Sequence, residues 1–251
     1  MTHKASSLCA WSFAALFVLV LAACGDNGDS SGSGASSTAG KAATAETAAA
    51  SAGKLGEPKG FAKTVTPAEV NDKGYVLGPV VLGNPDAPVT VIEYASYTCP
   101  HCADFDENVV AKLKPTYIDS GQVRFEFRNF IRDRYDLAVA MIVRCEGPDR
   151  FFPLTDLFFV RQREWLANAR QPKRIIDDIA AVARRAGISR TRFDQCLADR
   201  DLQQHLVKMT QDGQKEWDIT GTPTIIVNGE KQTDIKAFTY DGLVEIIEDE
   251  L

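Results

Sequence analysis

The tetrapeptide Cys99-Pro100-His101-Cys102 follows directly on a β-type apolar run, Val89–Tyr94, and opens a stretch of helical periodicity. No other feature constrains the chain as much, because it sets two thiols one turn apart at the start of a helix, just beyond the end of a strand. Pro100 suits the first helical turn, where its missing N–H costs nothing. The free N–H groups and the dipole of that turn favour a thiolate on Cys99. A charged His101 would favour it further. Cys102, one turn deeper, is then the resolving thiol that closes the pair. A stabilised Cys99 thiolate makes the reduced pair comfortable and the disulfide a good oxidant. Spacing alone leaves a structural Cys99–Cys102 disulfide as the alternative.

Export is the second constraint. The apolar run from Ala10 to Ala23 is shorter than the roughly 20 residues a spanning helix needs, and it has the length of a signal-peptide core. It ends Leu21-Ala22-Ala23-Cys24, which resembles the bacterial lipoprotein signal. Residues 1–23 then form the cleaved peptide, and Cys24 carries the lipid; the alternative is a plain secretory signal with a chance cysteine. Residues 24–60 continue as a Gly/Ala/Ser-rich stretch whose only bulky apolar side chain is Leu55. Such a segment cannot bury enough surface to offset its ordering entropy. It reads as a flexible tether with a reach of about 30–35 Å. The net charge of −6 argues against nucleic acid as a partner, since phosphate binding needs a basic face.

From Phe61 to Leu251 the apolar density is that of one sizeable core. Strands are predicted at Tyr75–Leu82, Val89–Tyr94, Val123–Phe130 and Thr224–Val227, then, after an Asn228-Gly229 turn, at Lys231–Ile235. A helix is predicted from Cys99 to about Asp119, kinked at Pro115. Between the third and fourth strands the periodicity is helical only. Leu137, Ala138, Met141, Ile142 and Cys145 share one face. Ile175, Ile176, Ile179 and Ala183 make a second, and Phe193, Cys196 and Leu197 a third. Another helix is predicted at about Asp201–Trp217, and Leu243, Val244, Ile246 and Ile247 mark the last one. The order implies an α/β sheet interrupted by a helical insertion at about 133–217. Phe151, Phe152, Leu154, Leu157, Phe158 and Phe159 read as core, Arg184-Arg185 and Glu248–Glu250 as solvated surface, and His205 takes no role.

Four cysteines remain in the exported chain: Cys99, Cys102, Cys145 and Cys196. An even set in an oxidising compartment fits two disulfides; a pair of buried free thiols at Cys145 and Cys196 is the alternative. A zinc site would need more ligands than the two histidines left, His101 and His205. Haem attachment fails because Ala103, not histidine, follows Cys102. No metal is expected.

The run from Asn84 to Cys102, Asn-Pro-Asp-Ala-Pro-Val-Thr-Val-Ile-Glu-Tyr-Ala-Ser-Tyr-Thr-Cys-Pro-His-Cys, resembles the start of a DsbA-family thiol:disulfide oxidoreductase of the thioredoxin superfamily. Gly221-Thr222-Pro223-Thr224 is similar to that superfamily's cis-proline loop. The resemblance covers about Gly78 to Leu251 and implies a thioredoxin fold with an inserted helical domain. It also implies a redox-active Cys99–Cys102 pair that works without a further cofactor. By the same resemblance Pro223 sits against the sulfurs, and Thr222 offers backbone groups to an extended substrate peptide. Glu93 matches a buried acid that assists proton transfer to the inner thiol; a solvated strand carboxylate is its other reading. Cys145 and Cys196 match a structural disulfide. The implied partners are substrate proteins with cysteines and a membrane redox partner, in the periplasm or cell envelope. Threonine at 222 departs from the best-known DsbA oxidases, which carry valine there, and is similar to the disulfide isomerases. Pro100 and His101 speak for oxidation and Thr222 for isomerisation or reduction. A reading from another class is a non-catalytic lipoprotein that binds peptide or Cu(I).

Overall fold

The computed structural model describes residues 69–251. The signal peptide, Cys24 and the tether to residue 60 lie outside the described residues. Five strands form one sheet in the order β1-β3-β2-β4-β5. β2 (Val89–Ala95) is central, parallel to β3 (Val123–Asn129) and antiparallel to β4 (Thr224–Val227). β1 (Val80–Leu82) pairs antiparallel with β3, and β5 (Glu230–Lys231) with β4. Every residue of β2 except Thr90 is buried. A strand without polar alternation is one covered on both faces.

Helical chain crosses from β2 to β3, as their parallel pairing requires. It runs as α1 (Pro100–Phe105), a π turn at Asp106–Val110, α2 (Ala111–Leu113) and a second π turn at Lys114–Ile118. The kink expected at Pro115 is taken up in that second π turn, since proline cannot donate to the helical ladder. Between β3 and β4 lie six helices: α3 (Arg134–Cys145), α4 (Pro148–Val160), α5 (Gln162–Trp165), α6 (Pro172–Arg185), α7 (Arg190–Leu197) and α8 (Arg200–Trp217). Three of them start on a side-chain cap: Asp133 on α3, Ser189 on α7 and Asp199 on α8. The last helix, α9 (Tyr240–Asp249), is capped by Thr239. This is a thioredoxin-like α/β fold with a helical insertion. α8 packs onto the sheet through Gly213: a Cβ there would fall 2.5 Å from the Tyr94 ring. Any larger side chain would push helix and strand apart.

Two predicted strands are shorter than expected. Only Val80–Leu82 of the first joins the sheet, because the backbone before it is bonded elsewhere. The Arg144 guanidinium donates to the carbonyls of Val76, Leu77 and Gly78, and the Leu77 N–H to the Glu69 carbonyl. The last strand stops at Lys231. Asp234 accepts from the Lys236 N–H and opens a 3₁₀ turn at Ile235–Phe238, a local bond that competes with the ladder. Ile235, expected in the strand, is 81% exposed.

A disulfide between Cys145 on α3 and Cys196 on α7 closes a span of 51 residues, with the Cα atoms 5.8 Å apart. Both sulfur-bearing residues are buried. The aromatic series of α4 is core: Phe127, Phe151 and Phe152 stack edge-on in sequence, and Phe158 meets Trp165 edge-on. On the chain-entropy estimate, opening a loop of 51 residues costs about 4 kcal/mol. The double variant Cys145→Ser, Cys196→Ser is therefore expected to unfold at a clearly lower urea concentration. An unchanged midpoint with an unchanged slope would show that the bridge contributes nothing.

Candidate active site

β2 ends at Ala95, and four residues later Cys99 forms the N-cap of α1 in extended conformation, with Pro100 at the first helical position. No side chain caps this helix, so its first N–H groups are left for the sulfur. Cys99 and Cys102 are free thiols. Facing them from the loop before β4 is the Thr222–Pro223 peptide, which is cis. The Cys99 thiol donates to the Thr222 carbonyl at 3.2 Å.

The two sulfurs have opposite electrostatics. Cys99 is lowered from the ordinary thiol value to about 5. The largest cause is the hydrogen bond it receives from the Cys102 thiol. Burial opposes this, and the Thr222 side chain and the N–H groups of Cys102 and His101 then add to the lowering. The Thr222 hydroxyl has no other partner, so it is free to donate once the sulfur is charged. Cys102 is pushed well above the usual thiol range, first by burial, then by its bond to Cys99 and by the Glu93 charge. His101 serves the sulfur through its backbone; its side chain is exposed.

Cys99 is less open than a helix-start nucleophile suggests, at 2% exposure against 0% for Cys102. Beside its neighbours lies a cleft of about 780 Å³, lined among others by His101, Phe105, Val109, Thr222, Pro223 and Phe238.

Glu93 sits on the central strand, in register with Phe127 and Ile225, at 1% exposure. Neither carboxylate oxygen has a hydrogen-bond partner. The solvated reading of this residue is thereby excluded. Burial, then the charges of Asp106 and Cys99, raises its carboxyl well above the usual range, which favours its protonated form. Asp106 is itself raised, by burial and by Asp156, and both line a small cavity of about 50 Å³ with Lys114. Among the described residues the one cluster of three metal-type ligands is Cys145, Glu146 and Cys196, and its two sulfurs are joined to each other.

Several polar residues around the thiols escaped the sequence reading: Asp106, Asp136, Asp156 and Gln162. Each lies in a helical run where a charged or amide side chain normally marks the solvated face. The only local signal is Asp133, a cap residue three positions before Asp136.

Comparison with known proteins follows the same lines. The thioredoxin family model matches residues 76–249. A Rickettsia conorii protein named as a protein-disulfide oxidoreductase is 34% identical over 151 residues, 60% of this chain and 53% of that protein. The chain thus spans about half the length of the rickettsial relatives it matches. Disulfide bond formation protein D of Bacillus subtilis is 31% identical over 191 residues, covering 72% of this chain and 81% of that protein. The crystal structure of Wolbachia pipientis alpha-DsbA1 is similar at a TM-score of 0.59 and 28% identity, over 68% of this chain and 89% of that one.

The buried Glu93 has a pH signature of definite sign. Its carboxyl titrates near about 4.3 in the unfolded chain and higher in the fold. Between those two values only the folded state holds the proton, so this group lowers stability by up to about 1.4 kcal/mol for each unit of rising pH. Glu93→Gln lacks that contribution. Its stability relative to the native protein is expected to increase in urea titrations as the pH rises above about 4.3, toward the raised value of the folded state. A difference independent of pH would mean that the fold does not raise the Glu93 carboxyl.

Proposed function

Since the chain belongs to the thioredoxin family, among its DsbA-like members, we propose that it is an exported, membrane-tethered protein thiol:disulfide oxidoreductase, working through Cys99 and Cys102 in the oxidising direction. The observation that carries this reading is the division of labour between the sulfurs: Cys99 lowered to about 5, Cys102 raised by burial. In the oxidised protein, a substrate thiolate attacks the Cys99 sulfur and the Cys99–Cys102 bond breaks. Cys102 leaves with the electron pair. As a buried thiolate it is unstable, and the neutral Glu93 carboxyl is the acid positioned to protonate it. A second substrate thiolate then attacks the substrate sulfur of the mixed disulfide. Cys99 leaves as the stabilised thiolate, and a low leaving-group pKa speeds that step. The substrate departs with a disulfide, and the protein is left with the dithiol.

Reoxidation falls to a membrane redox partner. The Leu21-Ala22-Ala23-Cys24 signal and the long tether support a globular domain held near such a membrane from the periplasmic side. No helix among the described residues is long and apolar enough to cross a membrane. The substrates are proteins with cysteines, docked in extended form along the Thr222–Pro223 loop. No cofactor beyond the Cys99–Cys102 disulfide is needed for this chemistry. Thr222 supports a second reading, in which the dithiol runs the reaction backwards as an isomerase or reductase. This reading rests on the likeness of Thr222 to the residue before the cis-proline in the disulfide isomerases, whose dithiol works in the reduced state.

Two assays separate these readings. Oxidised protein should accelerate refolding of a reduced, unfolded test protein, and its dithiol should reduce insulin only slowly; fast insulin reduction with no oxidase activity would reverse the assigned direction. Cys99→Ser is expected to abolish both activities, at least a thousandfold. Cys102→Ser should accumulate mixed disulfides through Cys99, detected by mass spectrometry. Mixed disulfides formed equally well by Cys99→Ser would contradict the roles given to the two sulfurs.

A further inference from the structure

The loop that carries Cys99 is held mainly by the helical insertion. Asp136 on α3 is fully buried. Its carboxylate accepts from the Ser96 hydroxyl at 2.6 Å, the Tyr97 N–H at 2.8 Å and the Arg132 N–H at 3.0 Å. Gln162 on α5, 5% exposed, takes the loop from its other polar side. Its amide donates at 2.8 Å to the Tyr97 carbonyl and at 2.8 Å to the Cys99 carbonyl. Both backbone groups of Tyr97 are therefore bonded to insertion side chains, and its hydroxyl pairs with Thr155 on α4 at 2.8 Å.

The bond to the Cys99 carbonyl matters most. That carbonyl belongs to the N-cap residue and otherwise receives only a long bond from the Ala103 N–H, 3.3 Å. Its orientation fixes the plane of the Cys99–Pro100 peptide. That plane sets where the Cys99 sulfur stands relative to the N–H groups of His101 and Cys102. The short donation from the buried Gln162 amide holds that orientation, and without the amide the carbonyls of both Tyr97 and Cys99 lose a partner.

We propose that Gln162, with Asp136, is a positioning residue for the nucleophile: the insertion grips the backbone of Tyr97 and Cys99 and thereby keeps the sulfur against its stabilising donors. The inference rests on the reading of Cys99 as the thiolate nucleophile. Gln162 touches neither substrate nor sulfur. Its effect is on the acidity and the redox equilibrium of the pair.

The test is a pH titration of iodoacetamide alkylation at Cys99 on the reduced full chain, paired with the equilibrium constant against glutathione. In Gln162→Leu, which removes both donations, the Cys99 pKa is expected to rise by about one unit, a tenfold loss of thiol acidity, and the disulfide to become correspondingly less oxidising. Gln162→Asn keeps the amide but is too short to reach both carbonyls; it should shift in the same direction and serves if the leucine variant does not fold. Trp165→Phe, on the same short helix, loses the Trp165 bond to the Phe158 carbonyl and destabilises without touching the loop. It should leave the Cys99 titration where it is. Gln162 variants that titrate like the native protein would overturn the proposal, as would an equal shift in Trp165→Phe. A native Cys99 that titrates as an ordinary thiol would overturn the underlying reading and this one with it, and that result is visible before any variant is made.

Discussion

A charged sulfur just below a protein surface persists only where its hydrogen-bond donors outweigh the solvation that burial removes. At Cys99 four donors meet that condition: the Cys102 thiol, the Thr222 side chain and the N–H groups of Cys102 and His101. They come from two places distant in sequence, the start of α1 and the loop before β4. The strand pairing of β2 with β4 brings them together. Much of the fold serves that meeting. β2 is buried on both faces and flanked by β3 and β4, so the end from which Cys99 emerges has little freedom to move.

The same geometry separates two chemically identical side chains. Cys99 and Cys102 are one helical turn apart, yet one is lowered and the other raised. Cys99 sits at the helix end, where unpaired N–H groups face it. Cys102 is inside the first turn, where burial and its bond to Cys99 outweigh the one backbone hydrogen bond that lowers it, from Ser96, and the charge of Glu93 adds to the raising. Glu93 in turn has no partner, an arrangement that costs stability wherever its charge is forced on it. An unpaired buried acid on the central strand is hard to account for by packing alone. The role proposed for it is to deliver a proton to Cys102 and later take it back.

Much of this was legible in the sequence, for a physical reason. Cys99-Pro100-His101-Cys102 is a local signature whose chemistry depends on neighbours in the chain, and the strand before it is a continuous apolar run; Thr222-Pro223, whose place depends on chain far away, was legible only through the family resemblance. The helical insertion could be read from periodicity. Where reading failed, non-local bonds had replaced local preference: Arg144 draws the carbonyls of residues 76–78 away from the sheet, and Asp234 ends β5 early. Gln162 was invisible for a related reason. A glutamine between arginines on a short helix has the look of surface until the fold turns it onto the Cys99 carbonyl.

The central claim is that the fold stabilises the reduced Cys99–Cys102 pair through the Cys99 thiolate. Because stabilisation by the fold and redox potential are linked, the most direct measurement compares urea unfolding of the oxidised and reduced forms of the same protein at pH 7, with the Cys145–Cys196 bridge intact in both. A disulfide normally stabilises a fold by restricting the unfolded chain. Here the reduced form is expected to unfold at the higher urea concentration, by a margin that shrinks as the pH is lowered toward 5 and the thiolate is protonated. An oxidised form that is the more stable at pH 7 would contradict the claim.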